Sequence, residues 1–221
     1  MKNKAMLFLA ILFMIACNSA KNQPLFKEGR QFYYAVARYE LGQLVSKDTI
    51  SFKTGGFSVF NLAGNGTKIT WYNNQGQKIS ARTVTTTLSN QDTSYTLDMP
   101  ANYALLENEM VSLPGNPSAT LITKPGAVSF TESSAVVGSG KLDRRTLKQE
   151  TRHLSDSSII WNGKNYPVQH YQSRNISDTA ELGMTIVNYN FNKDIGFVNL
   201  DYNFPGSVEV KLDLISIAEP E

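Results

Sequence analysis

Few residues in this 221-residue chain are spaced for chemistry. The two histidines, His153 and His170, stand apart, and the single cysteine, Cys17, lies far from both. A catalytic zinc needs three protein ligands, usually with clustered histidines, so the spacing predicts no metal site. Asn188, Asn190, Asn192 and Asp194 place oxygen ligands at calcium-loop intervals. Such a loop also requires Gly at its sixth position and Glu at its twelfth, which here are Lys193 and Asn199. The wet face of a strand explains the same alternation. Gly138-Ser139-Gly140-Lys141 imitates the end of a phosphate loop, but Ala135 and Leu142 stand where that motif needs Gly and Ser or Thr. No Gly-x-Ser-x-Gly elbow exposes a nucleophile. Glu107 and Glu109 would share a face if extended, and two solvated acids account for them without a glycosidase pair. The residues therefore point to a non-catalytic protein without cofactor or metal.

One local basic run remains: Lys141, Arg144, Arg145, Lys148 and Arg152. On a helix, Arg145, Lys148 and Arg152 would line one face. Against anionic headgroups each charge would contribute about 1 kcal/mol. A solvated basic face is the plainer explanation.

The N-terminus carries the strongest signal. Lys2 and Lys4 precede an almost wholly apolar run from Ala5 to Ala16, which is a basic and an apolar region of signal-peptide length. It falls short of the roughly 20 residues that a spanning helix needs. A lone cysteine in an exported chain would be an unpaired thiol in an oxidising compartment, and lipidation removes that anomaly. Met14-Ile15-Ala16-Cys17 resembles the lipobox of bacterial lipoproteins. The resemblance implies cleavage before Cys17, a diacyl group on its sulfur, and a further chain of the palmitate class on the new amine. Two or more such chains hold a protein stably on a membrane. Asn18 resembles the outer-membrane class of lipoproteins. The segment Asn18-Ser19-Ala20-Lys21-Asn22-Gln23-Pro24 lacks the acidic run that marks surface export in some bacteria. The expected location is the periplasmic face of the outer membrane.

Of the 21 Lys and Arg residues two lie in the signal, so nineteen basic residues face 19 acidic ones in the mature chain. That balance gives no reason to expect a nucleic-acid partner. The organisation expected is a signal peptide over residues 1–16, a lipidated N-terminus and tether over 17–30, and a single antiparallel β domain over 31–221.

The elements follow a period of two. Val198, Leu200, Tyr202 and Phe204 alternate with polar residues, as do Val208, Val210, Leu212 and Leu214, around a Pro205-Gly206 turn. Met184, Ile186, Tyr189 and Phe191 form a strand before them, with a phase slip at Ile186-Val187 that suggests a bulge. Residues 182–217 thus read as a three-stranded meander. Upstream, Phe32–Val36 pairs with Leu44–Phe52 across Gly42, Phe57–Leu62 and Thr67–Tyr72 flank a Gly-Asn-Gly turn, and further strands run over 79–88 and 93–99. Residues 100–110 are expected to hold a helical turn or two. Asp143–Leu154 reads equally as a helix capped by Asp143 or as an edge strand polar on both faces. The fold class is mainly β: a curved antiparallel meander or open barrel with one or two short helices.

Residues 189–198 and the 208–214 strand resemble the ending of envelope proteins built as an unclosed β-barrel, the LolA and LolB architecture. That resemblance implies a curved sheet around an apolar cleft for acyl chains. The function expected is a membrane-anchored module that binds a lipid, the acyl part of another lipoprotein, or some other amphipathic ligand. A protein-interaction module of an envelope complex is the first rival, and a hydrolase of envelope polymers the second. Cys17→Ser should move the protein from the membrane fraction to the soluble fraction, read by fractionation and blotting. Retention of the variant on the membrane would contradict acylation at Cys17.

Overall fold

The computed structural model describes residues 25–55, 66–85, 94–100, 103–105, 109–111, 113, 115–121, 123–137, 143–177 and 184–220. The signal segment, Cys17, the Phe57–Leu62 strand and the Gly138–Lys141 turn lie outside them.

Among the described residues fourteen strands form: β1 (Gln31–Glu40), β2 (Gln43–Gly55), β3 (Gly66–Tyr72), β4 (Lys78–Thr85), β5 (Ser94–Thr96), β6 (Tyr103–Leu105), β7 (Glu109–Val111), β8 (Ser118–Thr120), β9 (Val128–Val137), β10 (Asp143–Trp161), β11 (Lys164–Ser177), β12 (Met184–Asn192), β13 (Gly196–Phe204) and β14 (Val208–Ala218). Ten of them make one open antiparallel sheet ordered β4-β3-β2-β1-β14-β13-β12-β11-β10-β9. Pairing of β1 with β14, from Gln31↔Ala218 to Glu40↔Val208, joins the two halves of the chain at the sheet's centre. The β12–β13–β14 meander and the β1–β2 hairpin stand where the alternation places them. The phase slip does not stand there. Thr185, Val187, Tyr189 and Phe191 are buried in regular alternation, Ile186 faces outward, and the register breaks at Asn190/Phe191 instead.

No helix occurs among the described residues. Of the segment expected to turn helically, the described residues 103–105 and 109–111 form the short β6–β7 pair instead. Asp143–Leu154 belongs to β10, and not to an edge, because β9 lies outside it. Its polarity misleads for a physical reason. Gln149, Thr151 and His153 face inward and are buried, while Lys148 and Arg152 face outward. Buried polar side chains are tolerated when each is hydrogen-bonded, and here they are.

The β10–β11 hairpin turns on Asn162-Gly163, both at positive φ (48° and 75°), the backbone of a two-residue primed turn. Its end curls over the inner face. Trp161 Nε1 donates to the Leu214 carbonyl at 2.8 Å, and Asn192 Nδ2 donates to the Pro167 carbonyl at 2.6 Å. Leu25 and Phe26, placed in the tether by the sequence reading, are buried. They are apolar, and Phe26 meets the Tyr95 ring at 6.0 Å.

The inner face is aromatic. Phe32 stacks on Phe52 at 4.5 Å, Phe52 meets Trp71 at 5.0 Å, and Tyr171 stacks on Tyr189 at 5.5 Å. Tyr34 spans β14 to donate to the Phe197 carbonyl at 2.7 Å. Across this face lies a strap, the described residues between Ser94 and Leu121. Tyr95, Leu97, Met99, Leu113 and Ala119 are buried in it. Trp71 Nε1 ties it to β3 through the Asp98 carbonyl at 2.7 Å, and Gln149 Nε2 ties it to β10 through the Asn116 carbonyl at 2.8 Å.

Two tyrosines do the same for β8. The Tyr189 hydroxyl accepts from Ser118 N (3.1 Å) and donates to Ser118 O (2.6 Å). The Tyr171 hydroxyl accepts from Thr120 N (3.2 Å) and donates to Thr120 O (3.1 Å). Gly115 fits against this array because it has no side chain: a Cβ there would lie 2.3 Å from Asn175 Oδ1, at a φ of 81°.

Burial lifts the Tyr189 phenol from 10.0 to about 12, against opposing bonds from Ser173 and Ser118. Burial also raises Tyr171, Tyr34 and Tyr202. A folded value above the unfolded one favours the neutral hydroxyl, so its contribution is complete below pH 10 and is lost as pH rises toward 12. Urea titrations should show stability falling over that window. Tyr189 alone accounts for about 2 kcal/mol by its folded value, and the buried phenols' share of the tyrosinate absorbance should appear only as the protein unfolds. Stability unchanged through that window would contradict the burial of these hydroxyls.

Candidate ligand groove

The residues singled out in the sequence do not assemble into a reactive centre. His153 is 1% exposed, stacked on Tyr171 at 4.9 Å. Its Nε2 lies 2.9 Å from Asp156 Oδ1 within β10 itself, and its Nδ1 lies 3.1 Å from the Thr123 carbonyl, which ties β10 to the segment just after the strap. His170 lies on β11, paired in register with Asn190. Two strands away on β13, Asp201 has its carboxyl pKa raised by burial, with Lys211 the main opposing charge. Asn188 and Asn190 keep the wet face expected of a strand. Asn192 is 3% exposed and caps a turn, its Oδ1 accepting from Asp194 N (2.8 Å) and Ile195 N (3.1 Å). Among the described residues no group of three or more His, Cys, Asp or Glu is arranged to hold a metal.

The basic run is strand rather than helix, which removes the helical face that would have aligned Arg145, Lys148 and Arg152. Lys148 and Arg152 remain exposed in β10, and Arg152 pairs with Glu150 at 3.2 Å. Arg145 is in the same strand, its side chain outside what is described.

The opposite, outer face carries an open groove of about 550 Å³ over β1, β2 and β3. Strand alternation builds it: Phe32, Tyr34, Ile50 and Phe52 turn inward, which sends their neighbours out. β1 supplies Gln31 and Tyr33. β2 supplies Thr49, Ser51 and Lys53. β3 ends in Tyr72, and the turn after it supplies Asn73 and Asn74. Register puts Tyr33, Ser51 and Tyr72 in one cross-strand row. With strands about 4.8 Å apart, the two tyrosines branch from backbones about 10 Å apart on either side of Ser51.

The groove is stiff on two sides. Gln31 Nε2 donates to Ser51 Oγ at 3.0 Å on the floor. In the wall, Asn73 Oδ1 accepts from Gln75 N (3.1 Å) and Gln77 N (2.8 Å), while Gly76 N donates to the Asn73 carbonyl at 3.0 Å. Asn73 thus closes the turn with its own side chain. The groove's described lining has one cation, Lys53, and no carboxylate. Such a surface can position a ligand by stacking and hydrogen bonds, but it has no acid–base pair to transform one. Sequence reading missed it because its residues are ordinary outward strand residues. The pattern Gln31-x-Tyr33 opposite Thr49-x-Ser51-x-Lys53 becomes visible only once register is known.

No protein-family model matches the chain, and no curated protein matches it. Three solved structures share parts of its layout at low identity. A Bacteroides fragilis protein described as exported, with a YmcC-like fold, has a TM-score of 0.47 and 8% identity, over 88% of this chain and 98% of that one. A protein of Parabacteroides distasonis described as a lipoprotein has a TM-score of 0.48 and 9% identity, over 88% and 97%. The hypothetical lipoprotein YmcC from Escherichia coli has a TM-score of 0.42 and 12% identity, over 97% and 95%.

Proposed function

We propose that this chain is a lipid-anchored protein of the bacterial envelope that works as a non-catalytic binding module. Acylated Cys17 holds it at a membrane, with the periplasmic face of the outer membrane as the site, and the outer groove receives the ligand. The observation that carries this reading is the division of labour between the two sheet faces. Buried polar groups of the inner face, such as Gln149, Tyr171 and Tyr189, are committed to the strap. The outer groove is open and polar, with its floor and wall held by their own hydrogen bonds. Ligand sites are commonly formed before the ligand arrives, which limits the ordering cost of binding.

Two observations favour other occupants. Tyr202 Oη and Ser46 Oγ are buried without a hydrogen-bond partner, in one cross-strand row with Val210 and Arg38. An amphipathic lipid entering under the strap would satisfy them, which is the apolar-ligand reading. Edge strand β9 carries Phe130 at 76% exposure, a feature of a strand that docks a protein partner.

Solvent extraction of the purified full-length protein separates these readings. The groove reading expects only acyl chains bound covalently through residue 17. A non-covalent lipid at one equivalent per chain would shift the ligand to the inner face and contradict it.

A further inference from the structure

We infer that the outer groove binds a glycan, an inference that rests on the binding-module reading above and names its ligand class. A sugar ring offers two chemically different surfaces. Its axial C–H groups form weakly positive apolar patches that stack on the electron-rich face of an aromatic ring. Its hydroxyls are donors and acceptors at once and seek side chains that are the same.

The groove supplies both sets in one place. Tyr33 and Tyr72 are partly exposed rings on either side of Ser51 in a single cross-strand row. The backbones that carry them stand about 10 Å apart, a span that suits a short run of linked sugar rings. Between and beside them stand Gln31, Thr49, Ser51 and Asn74, amides and hydroxyls that both give and accept hydrogen bonds.

Other ligand classes fit this lining less well. A lipid tail wants an enclosed apolar pocket, and this groove is open, with amides and hydroxyls interrupting its apolar surface. A peptide added as a strand needs an exposed sheet edge, whereas β1 and β2 are internal to the sheet. A nucleic acid needs several cations along its path, and the groove has Lys53 alone. That lysine suits a single acidic substituent on the glycan. Among the described lining residues no carboxylate pair flanks the floor, which suits holding a glycan.

The test places a photoreactive p-benzoylphenylalanine at position 74, in place of exposed Asn74, in the full-length protein in living cells. After irradiation the adduct is purified and analysed. The inference expects a carbohydrate adduct, sensitive to periodate. Tyr33→Ala and Tyr72→Ala should each lower its yield about tenfold. Tyr33→Phe and Tyr72→Phe keep the ring, and should retain most of the yield with an unchanged melting temperature. A carbohydrate adduct that persists in both alanine variants would overturn the stacking site. A protein or lipid adduct would overturn the glycan while leaving a ligand groove in place. No adduct at all would overturn both the glycan and the groove.

Discussion

The inner face of this sheet depends on two phenols that behave as strand backbone. β8 is three residues long and pairs only with three-residue β5, which is too little to hold a strand in place. Its remaining amides and carbonyls point at the main sheet, where Tyr171 and Tyr189 offer a donor and an acceptor to each of Ser118 and Thr120. A net hydrogen bond contributes about 1 kcal/mol, but a buried backbone group left without one costs about 1–3 kcal/mol. Losing either phenol therefore costs more than the bonds it makes. The stacking of the two rings at an interplanar angle of 14° sets both hydroxyls in register with alternate residues of β8.

That constraint divides the molecule. Once the strap is pinned, the aromatic face behaves as a core, and the resemblance to open barrels with an apolar cleft no longer translates directly into an accessible cleft. The hairpin tip reinforces this by carrying Trp161 over to the Leu214 carbonyl. What stays accessible is the outside of the sheet. There β1, β2 and β3 carry inward aromatics that fix their backbone, so the outward residues of the same strands gain a rigid mount. The packing that closes one face thereby preorganises the other.

Much of this was legible from alternation alone. The meander from Met184 to Ala218 and the β1–β2 hairpin follow from periodic apolar residues that have only one way to reach a core. The ambiguity at Asp143–Leu154 has a physical cause, which is that polarity does not mean exposure. Gln149, Thr151 and His153 are polar and buried: Gln149 and His153 meet Asn116 and Thr123 from 30 or more residues away in sequence, and Thr151 meets Ser173 of β11. That left Asp143–Leu154 open to a helical reading. Asn162-Gly163 was a clear hairpin signal that went unused, and it sets the longest hairpin of the sheet. The groove was hidden more deeply, because Tyr33, Ser51 and Tyr72 become neighbours only through register across three strands. The lipobox resemblance at Cys17 is the reverse case: a local motif that predicts acylation without reference to any folded contact.

Amide hydrogen exchange at Ser118 and Thr120 tests the pinned strap most directly. Both amides lie in a short strand whose protection comes from phenols rather than from a neighbouring strand. The account predicts slow exchange in the intact protein, and a rise of about tenfold or more at Ser118 in Tyr189→Phe. Loop-like exchange at both amides in the intact protein, or no change at Ser118 in the variant, would contradict it.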